Sequence, residues 1–389
     1  MRKSFLVRSG VAKPVAIYIH IPFCAHKCLY CDFNSKPALL EEKQAYVDAL
    51  ISEIRNSEFR GMQASTLYLG GGTPNELTGD EIETIVTVLD MNFDFIDDRE
   101  WSIECNPGNV SPAFFKRLAE LEFDRVSLGA QSFSEAQLQM LGRLHSVSDI
   151  FNSYDWIRDA GIDNINLDLI FGIPGQKFED WLEDLREAFF MAPEHLSLYN
   201  LSIEKDTRLS RLVEAGLVTP CDEDLAADMY EASLELTERA GYDQYEISNF
   251  ALPDHECRHN IAYWRNDPYL GFGLSAASYI DGIRWTNTGD WRKYLKGARK
   301  GSIPCSQKEK LEGRAAAGEE IMLLLRMSSG ADIEVLSRKY GFQIDEAYGD
   351  SIAFLVNEGL LDREGHCLYL SRKGRLLASS VSAEFITRG

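Results

Sequence analysis

The sequence has 389 residues, of which 45% are hydrophobic and 26% charged, and its formal net charge at pH 7 is -21. This length suits one large domain with a smaller one. The acidic balance argues against general binding to nucleic acid or to anionic membranes, and no Lys/Arg run indicates a local basic patch.

No stretch of about 18 apolar residues is present, so we expect no stable membrane insertion. The first 14 residues lack the apolar segment of a secretory signal. Eight cysteines without a paired framework fit a reducing compartment. We therefore expect a cytoplasmic protein.

Six apolar, β-branched runs recur in the first half of the chain, and stretches compatible with helices separate them. Thr78 and Ser111 are predicted to N-cap two of these helices, and the helix over residues 40–59 has an apolar stripe that begins at Leu40. Six such units predict an α/β fold with a parallel sheet, either a partial (β/α)6 TIM-like barrel or a doubly wound sheet. The runs cover residues 15–22, 65–69, 101–105, 125–128, 164–171 and 195–201.

Beyond the sixth run the pattern changes. Residues 222–241 predict a helix, residues 245–249 a further apolar run, and the next stretch a loop rich in histidine and aromatic residues. From about Gln307 the composition favours helices, and a hairpin follows, which predicts a winged-helix-like C-terminal module. We therefore expect three parts, namely a barrel (1–245), a connecting segment (246–306) and a C-terminal domain (307–389).

Three cysteines, Cys24, Cys28 and Cys31, follow the first run with the spacing C-x3-C-x2-C. Three clustered thiols make a poor disulfide framework, and structural zinc normally takes four ligands. An iron–sulfur cube can be held by three thiolates, with its fourth iron left for another ligand. A zinc knuckle or three incidental thiols are the alternatives.

Polar and glycine-rich motifs follow the other runs, where a barrel of this kind gathers its working residues. Glycines in the segment Gly-Gly-Gly-Thr-Pro at residues 70–74 allow a ligand to approach the backbone. The carboxylates of Glu104 and Asp168 can accept hydrogen bonds from ligand hydroxyl or ammonium groups. Taken singly, each of these residues is as well explained by an ordinary surface or capping role.

Together, these segments resemble the anaerobic coproporphyrinogen-oxidase family of the radical S-adenosylmethionine (SAM) superfamily. The resemblance runs from about Tyr18 into the C-terminal module and favours the partial barrel. It implies a [4Fe–4S] cluster held by Cys24, Cys28 and Cys31, with SAM at the fourth iron. The segments are the cysteine motif, Gly-Gly-Gly-Thr-Pro, Glu-Cys-Asn-Pro-Gly, Ser-Leu-Gly-Ala-Gln-Ser-Phe, Leu-Gly-Arg-x-His and Asp-Leu-Ile-x-Gly-Ile-Pro-Gly-Gln. The SAM contacts that the resemblance implies are Tyr18, Gly71, Gly72, Thr73, Glu104, Gln131, Arg143 and Asp168.

Three features are similar to a heme chaperone branch of that family. Phe33 stands where the oxidase branch has a fourth cysteine, and only 17 residues precede Tyr18. His-Asn-Ile-Ala-Tyr-Trp, at residues 259–264, matches that branch's His-Asn-x-x-Tyr-Trp motif. The resemblance implies heme contacts at His259, Tyr263 and Trp264. Without the resemblance, a loop closed onto the barrel core is the preferred interpretation of the motif.

The expected function is therefore to bind a cluster, SAM and heme, and to deliver heme to recipient hemoproteins such as respiratory enzymes. An electron donor for the cluster is a further expected partner, nucleic acid is not expected, and a homodimer is left open. The alternative is an oxygen-independent coproporphyrinogen III oxidase, so the sequence leaves catalysis open. A radical SAM enzyme acting on tRNA or peptide is a third hypothesis, and the acidic charge argues against tRNA.

Overall fold

Six parallel strands lie side by side at the centre of the main sheet, in the order in which the chain reaches them. The computed structural model describes residues 13–386. All neighbouring pairs among the six strands are parallel, which confirms the partial (β/α)6 barrel. The strands are β1 (Val15–Ile21), β2 (Gln63–Gly71), β3 (Asp94–Cys105), β4 (Arg125–Gln131), β5 (Asn164–Phe171) and β6 (His195–Asn200).

Helices connect these strands and cover the outside of the sheet. The predicted N-caps are confirmed, because Thr78 Oγ1 accepts from Glu81 N and Ser111 Oγ accepts from Phe114 N, each at 3.3 Å. The predicted stripe is wrong at Leu40, which is 73% exposed, because burial of this helix begins only at Tyr46 in its second turn. The helices are α1 (Leu40–Asn56), α2 (Gly79–Asp90), α3 (Pro112–Glu120), α4 (Glu135–Leu141), α5 (Val147–Asp159), α6 (Phe178–Met191), α7 (Arg208–Glu214) and α8 (Glu223–Arg239).

The stretch after residue 249 was predicted to be a loop, but most of it forms helices and strands, so that prediction is wrong. One hairpin extends the sheet beyond β6, and four more strands extend it beyond β1, the first of them parallel to β1. Gln307 lies inside the last of these strands, so the change in composition there does not mark the end of the sheet. The elements are β7 (Asp243–Glu246), β8 (Asn249–Ala251), α9 (Arg258–Trp264), β9 (Tyr269–Phe272), β10 (Ala277–Ile280), β11 (Ile283–Asn287), α10 (Trp291–Arg299) and β12 (Cys305–Lys310).

The C-terminal residues build a separate apolar core around a three-stranded sheet. The predicted helices and hairpin are confirmed, in the order expected of a winged-helix-like module. The division at residues 245 and 306 stays a proposal. The elements are α11 (Gly313–Leu325), β13 (Ala331–Asp332), α12 (Ile333–Tyr340), α13 (Ile344–Asn357), β14 (Leu361–Glu364), β15 (Cys367–Leu370), α14 (Arg372–Leu376) and α15 (Ala378–Ile386).

Within residues 13–386, no helix is both long enough and apolar enough to cross a membrane.

Candidate functional site

The three cysteines of the motif lie in the loop between β1 and α1, and all of them line one cavity of about 470 Å³. Each is a free thiol with a half-buried side chain. No three His, Cys, Asp or Glu side chains of the described residues are grouped so as to hold a single metal ion. A cube places each thiolate on a different iron, so this spread set of donors fits a [4Fe–4S] cluster better than a zinc knuckle.

The glycines after β2 allow this loop to pack closely on the end of β1. Gly71 has φ of +105°, and a Cβ there would lie 2.2 Å from His20 Nδ1. A Cβ at Gly72 would lie 2.6 Å from the carbonyl oxygen of Phe23. Both contacts are shorter than real Cβ contacts, so glycine is required here for the packing of the strand ends as well as for ligand access.

A hydrogen-bond network joins the strand ends to the cysteine sulfurs. Thr73 Oγ1 donates to Cys24 Sγ at 3.4 Å, and Arg143 Nη1 donates to Cys28 Sγ at 3.6 Å. Asn106 Nδ2 donates to Thr73 Oγ1 at 2.7 Å. Thr73 and Arg143 therefore both point at sulfurs that would serve as cluster ligands. Asn106 was not among the predicted site residues, although it lies in the quoted Glu-Cys-Asn-Pro-Gly segment.

Glu104 and Asp168 both line the cavity, and the negative charge of Asp168 acts on Glu104. Glu104 accepts hydrogen bonds from Gly71 N and Tyr68 OH, each at 3.0 Å. Burial, and then the charge of Asp168, raise the pKa of Glu104 to about 7. Ser127 Oγ donates to Asp168 at 2.9 Å. These two carboxylates form an acidic wall that suits hydroxyl or ammonium donors of a ligand.

Gln131 reaches the cavity through a strained turn at the end of β4. Its φ is +68°, and Ser132 N donates to Ala130 O at 2.9 Å, which closes a γ-turn around it. The pairing register of β4 with β5 also shifts just before this residue. A bulge of this kind redirects a side chain, and such strain is common at ligand sites.

The histidine of the His-Asn-x-x-Tyr-Trp motif is buried. His259 is 1% exposed, and both of its ring nitrogens have partners. Nδ1 lies 2.7 Å from Thr66 Oγ1, and Nε2 lies 3.2 Å from Tyr263 OH. Burial, and then the charge of Arg125, lower the pKa of His259 to about 3, so the imidazole is neutral. Neutral imidazole is the form that ligates metal.

Other residues of this motif lie in different environments. Asn260 lines the cysteine cavity. Trp264 instead lies under Arg326 of the C-terminal module, with the guanidinium 4.5 Å from the ring centroid. The start of α9 is held by Glu100, whose carboxylate accepts from the backbone N–H groups of Arg258 and His259.

The structure thus brings most of the predicted site residues to one cavity. Tyr18 does not line the cavity; its ring stacks on that of Tyr68, which does, with the centroids 6.3 Å apart. His259 stacks on Tyr68 at 5.0 Å, and Tyr263 and Trp264 do not line the cavity. Arg125 was not predicted, and its buried charge inside the barrel gives no sequence signal of its own. The predicted residues that line the cavity are Cys24, Cys28, Cys31, Gly71, Gly72, Thr73, Glu104, Gln131, Arg143 and Asp168.

Comparisons with known proteins agree with this fold and this cavity. Residues 18–188 match the Radical SAM superfamily, and residues 311–377 match the HemN C-terminal domain. The solved structure of coproporphyrinogen III oxidase (HemN) from Escherichia coli superposes with a TM-score of 0.84. It covers 97% of this chain and 91% of that chain at 24% identity, and this likeness shows the fold. Fold and cavity together define a radical SAM protein.

Curated proteins of similar sequence indicate which family of radical SAM proteins this chain belongs to. The heme chaperone HemW of Lactococcus lactis is 35% identical over 96% of this chain and 98% of its own length. The heme chaperone HemW of Bacillus subtilis is 33% identical over 95% and 98%, and that of Escherichia coli is 37% identical over 73% and 76%. The chain belongs to the heme chaperone HemW family.

Proposed function

We propose that this protein is a heme chaperone, which binds heme and delivers it to hemoproteins such as respiratory enzymes. The observation that carries the proposal is a neutral, buried His259 placed one aromatic layer behind the cysteine cavity. Names of the relatives, matched over nearly the whole chain, support it. We also propose that it works in the cytoplasm.

The cavity would hold two resident cofactors. Cys24, Cys28 and Cys31 would hold a [4Fe–4S] cluster, and the thiol contacts of Thr73 and Arg143 would stabilise the bound sulfurs. The predicted SAM contacts would surround the open side of the cluster. When bound, such a cluster supplies one-electron reduction of the SAM sulfonium. Chain residues would orient SAM through the glycine loop, the acidic wall and Gln131.

The contacts of His259 prepare one ring nitrogen for heme iron. Histidines that bind metal usually donate the other ring N–H to an oxygen, which fixes the tautomer. Thr66 Oγ1 is placed to accept from Nδ1, and this leaves Nε2 to accept from Tyr263 OH. Displacement of the Tyr263 hydroxyl would therefore free the lone pair of Nε2. In this arrangement Tyr263 covers the ligand nitrogen until heme arrives.

A heme titration followed by absorbance tests the proposal. We expect a shifted Soret band with the reconstituted wild type, and its loss in His259→Ala. His195→Ala is the matched control, because His195 is also fully buried, with its two ring nitrogens bonded to Asn166 and Tyr245. Unchanged heme binding in His259→Ala, at a melting temperature similar to that of the control, would contradict the role of His259.

The oxidase alternative has one supporting observation, the overall likeness to the HemN fold. It predicts that anaerobic incubation of the reconstituted protein with coproporphyrinogen III, SAM and a reductant yields decarboxylated product. The chaperone proposal predicts heme binding and no such product. Formation of protoporphyrinogen IX would favour the oxidase alternative over the chaperone proposal.

A further inference from the structure

Helix α10 carries a basic surface that the sequence analysis missed. Four of its nine residues are basic, and so is Lys300, which directly follows the helix; all five side chains are exposed. None of them forms an ion pair with an acidic residue in the described part of the chain. The sequence shows no continuous Lys/Arg run here, because apolar residues and glycine separate the basic ones. They are Arg292, Lys293, Lys296, Arg299 and Lys300.

This basic surface contrasts with the charge of the whole chain. The formal net charge is -21, so an acidic protein approaching at random is repelled. An isolated positive surface on such a body selects where, and in which orientation, an acidic partner can dock. Its position on the molecule therefore indicates what the partner does.

The start of α10 packs directly against the loop that carries the cysteines. The ring of Trp291 stacks on Tyr46 at 5.6 Å and lies 6.1 Å from Phe23. Phe23 is bonded to Cys24 in the chain. Lys36, from the same loop, lies 4.2 Å above the ring of Trp291. The half-buried Trp291, next to the basic surface, thus contacts Phe23, and Phe23 directly precedes the first cysteine of the motif.

We propose that the exposed face of α10 docks an acidic one-electron carrier protein that reduces the cluster. One electron passes from the carrier, which is oxidised, to the cluster, which is reduced. No proton is transferred, and no bond forms or breaks. The contact between Trp291 and Phe23 provides a short path for the electron from the docked carrier to the cluster. This inference rests on the proposed [4Fe–4S] cluster at Cys24, Cys28 and Cys31.

Two other anionic partners fit the surface less well. A membrane-bound amphipathic helix buries its apolar face in lipid, but Tyr294, Gly297 and Ala298 of α10 are already buried in the protein. Single-stranded nucleic acid is held by exposed aromatic side chains among basic ones, and the exposed residues of α10 are all basic. Both partners are included as outcomes of the test.

The test compares two double variants with the same change in net charge. Lys293→Glu with Lys296→Glu alters the α10 surface, and Lys116→Glu with Lys177→Glu alters two exposed lysines elsewhere. Each reconstituted protein is titrated calorimetrically with an acidic plant-type [2Fe–2S] ferredoxin at low and high salt. We expect the α10 variant alone to weaken binding, by roughly tenfold at low salt, and to reduce the salt dependence.

Several results would overturn the proposal. These are no ferredoxin binding to the wild type at low salt, equal weakening in both variants, or stronger α10-dependent binding to anionic vesicles or to RNA. The heme titration of the α10 variant separates this proposal from the proposed function. Ferredoxin binding that depends on α10 supports the docking surface even if heme does not bind. Heme binding without ferredoxin binding leaves the chaperone proposal intact and contradicts the docking surface.

Discussion

Asp184 accepts hydrogen bonds from Ser132 Oγ at 3.0 and 2.9 Å, so a buried carboxylate on α6 holds the residue that follows the strained Gln131. Phe133 N donates to the same carboxylate at 2.6 Å. Asp184 is 1% exposed. Its contacts hold both residues that follow Gln131, and they therefore position the Gln131 side chain in the cavity.

We predict that Asp184→Asn weakens SAM binding roughly tenfold, or about 1.4 kcal/mol, because replacing a carboxyl oxygen by an NH2 group removes one acceptor from this anchor. Calorimetric titration with SAM measures the effect. Glu183→Gln, an exposed neighbour on the same helix, is the control. Adding Gln131→Gly to Asp184→Asn is expected to recover melting temperature, since glycine adopts positive φ without strain. No recovery would show that Asp184 stabilises the protein independently of the turn.

The cluster assignment predicts a loss of iron in single cysteine variants. Cys28→Ala removes one of three thiolates and leaves Arg143 Nη1 without its sulfur contact, so most of the iron and sulfide should be lost after anaerobic reconstitution. Cys305→Ala, an exposed thiol outside the motif, should retain both. Full iron content in Cys28→Ala would contradict the three-cysteine site.

Tyr263→Phe is expected to accelerate heme binding. The variant removes the hydroxyl that lies 3.2 Å from His259 Nε2, and loss of one hydrogen bond corresponds to roughly fivefold in rate. Stopped-flow absorbance in the Soret region measures it. Tyr245→Phe is a matched control, because its hydroxyl lies 2.9 Å from Nε2 of the buried His195. An unchanged or slower rate in Tyr263→Phe would contradict the covering role of Tyr263.

Glu53 gives a prediction for pH. Burial raises its pKa to about 7, although Tyr294 OH, Gly273 N and Asn287 all donate to the carboxylate. A carboxyl whose pKa is raised on folding contributes stability that is fully present below about 4.5 and is lost as pH rises through about 7. The melting temperature of the wild type relative to Glu53→Gln should therefore fall between pH 5 and pH 8. A constant difference would show that Glu53 does not titrate in this range.

The barrel and the cavity were predictable because their signals are local. Each strand ends in its own motif, and parallel strands bring those motifs together, so Cys24, Gly72 and Glu104 could be assigned to one site from the sequence. Anchors that act across the fold have no such signal. Asp184 lies 53 residues from Gln131 in the sequence and meets the turn only because the fold brings α6 to the residues that follow β4.

The heme motif shows the same limit. The motif identified His259, Tyr263 and Trp264. Its spacing could not indicate that both ring nitrogens of His259 have hydrogen-bond partners or that Arg326 covers Trp264. The contacts with Thr66 and Arg326 come from β2 and from the C-terminal module, which are distant in sequence, whereas the contact with Tyr263 lies within the motif itself. The basic residues of α10 are likewise separated in the sequence by apolar residues and glycine, and they share one surface only once the helix has formed.

Heme transfer tests the central claim most directly. Reconstituted protein loaded with heme is mixed with heme-depleted respiratory membranes, and the decay of its Soret band is followed together with recovery of oxygen uptake. We predict that the wild type loses its heme as respiration recovers, faster than with the same concentration of free heme, and that His259→Ala gives no such advantage. Retention of heme by the wild type, or recovery no faster than with free heme, would contradict the account.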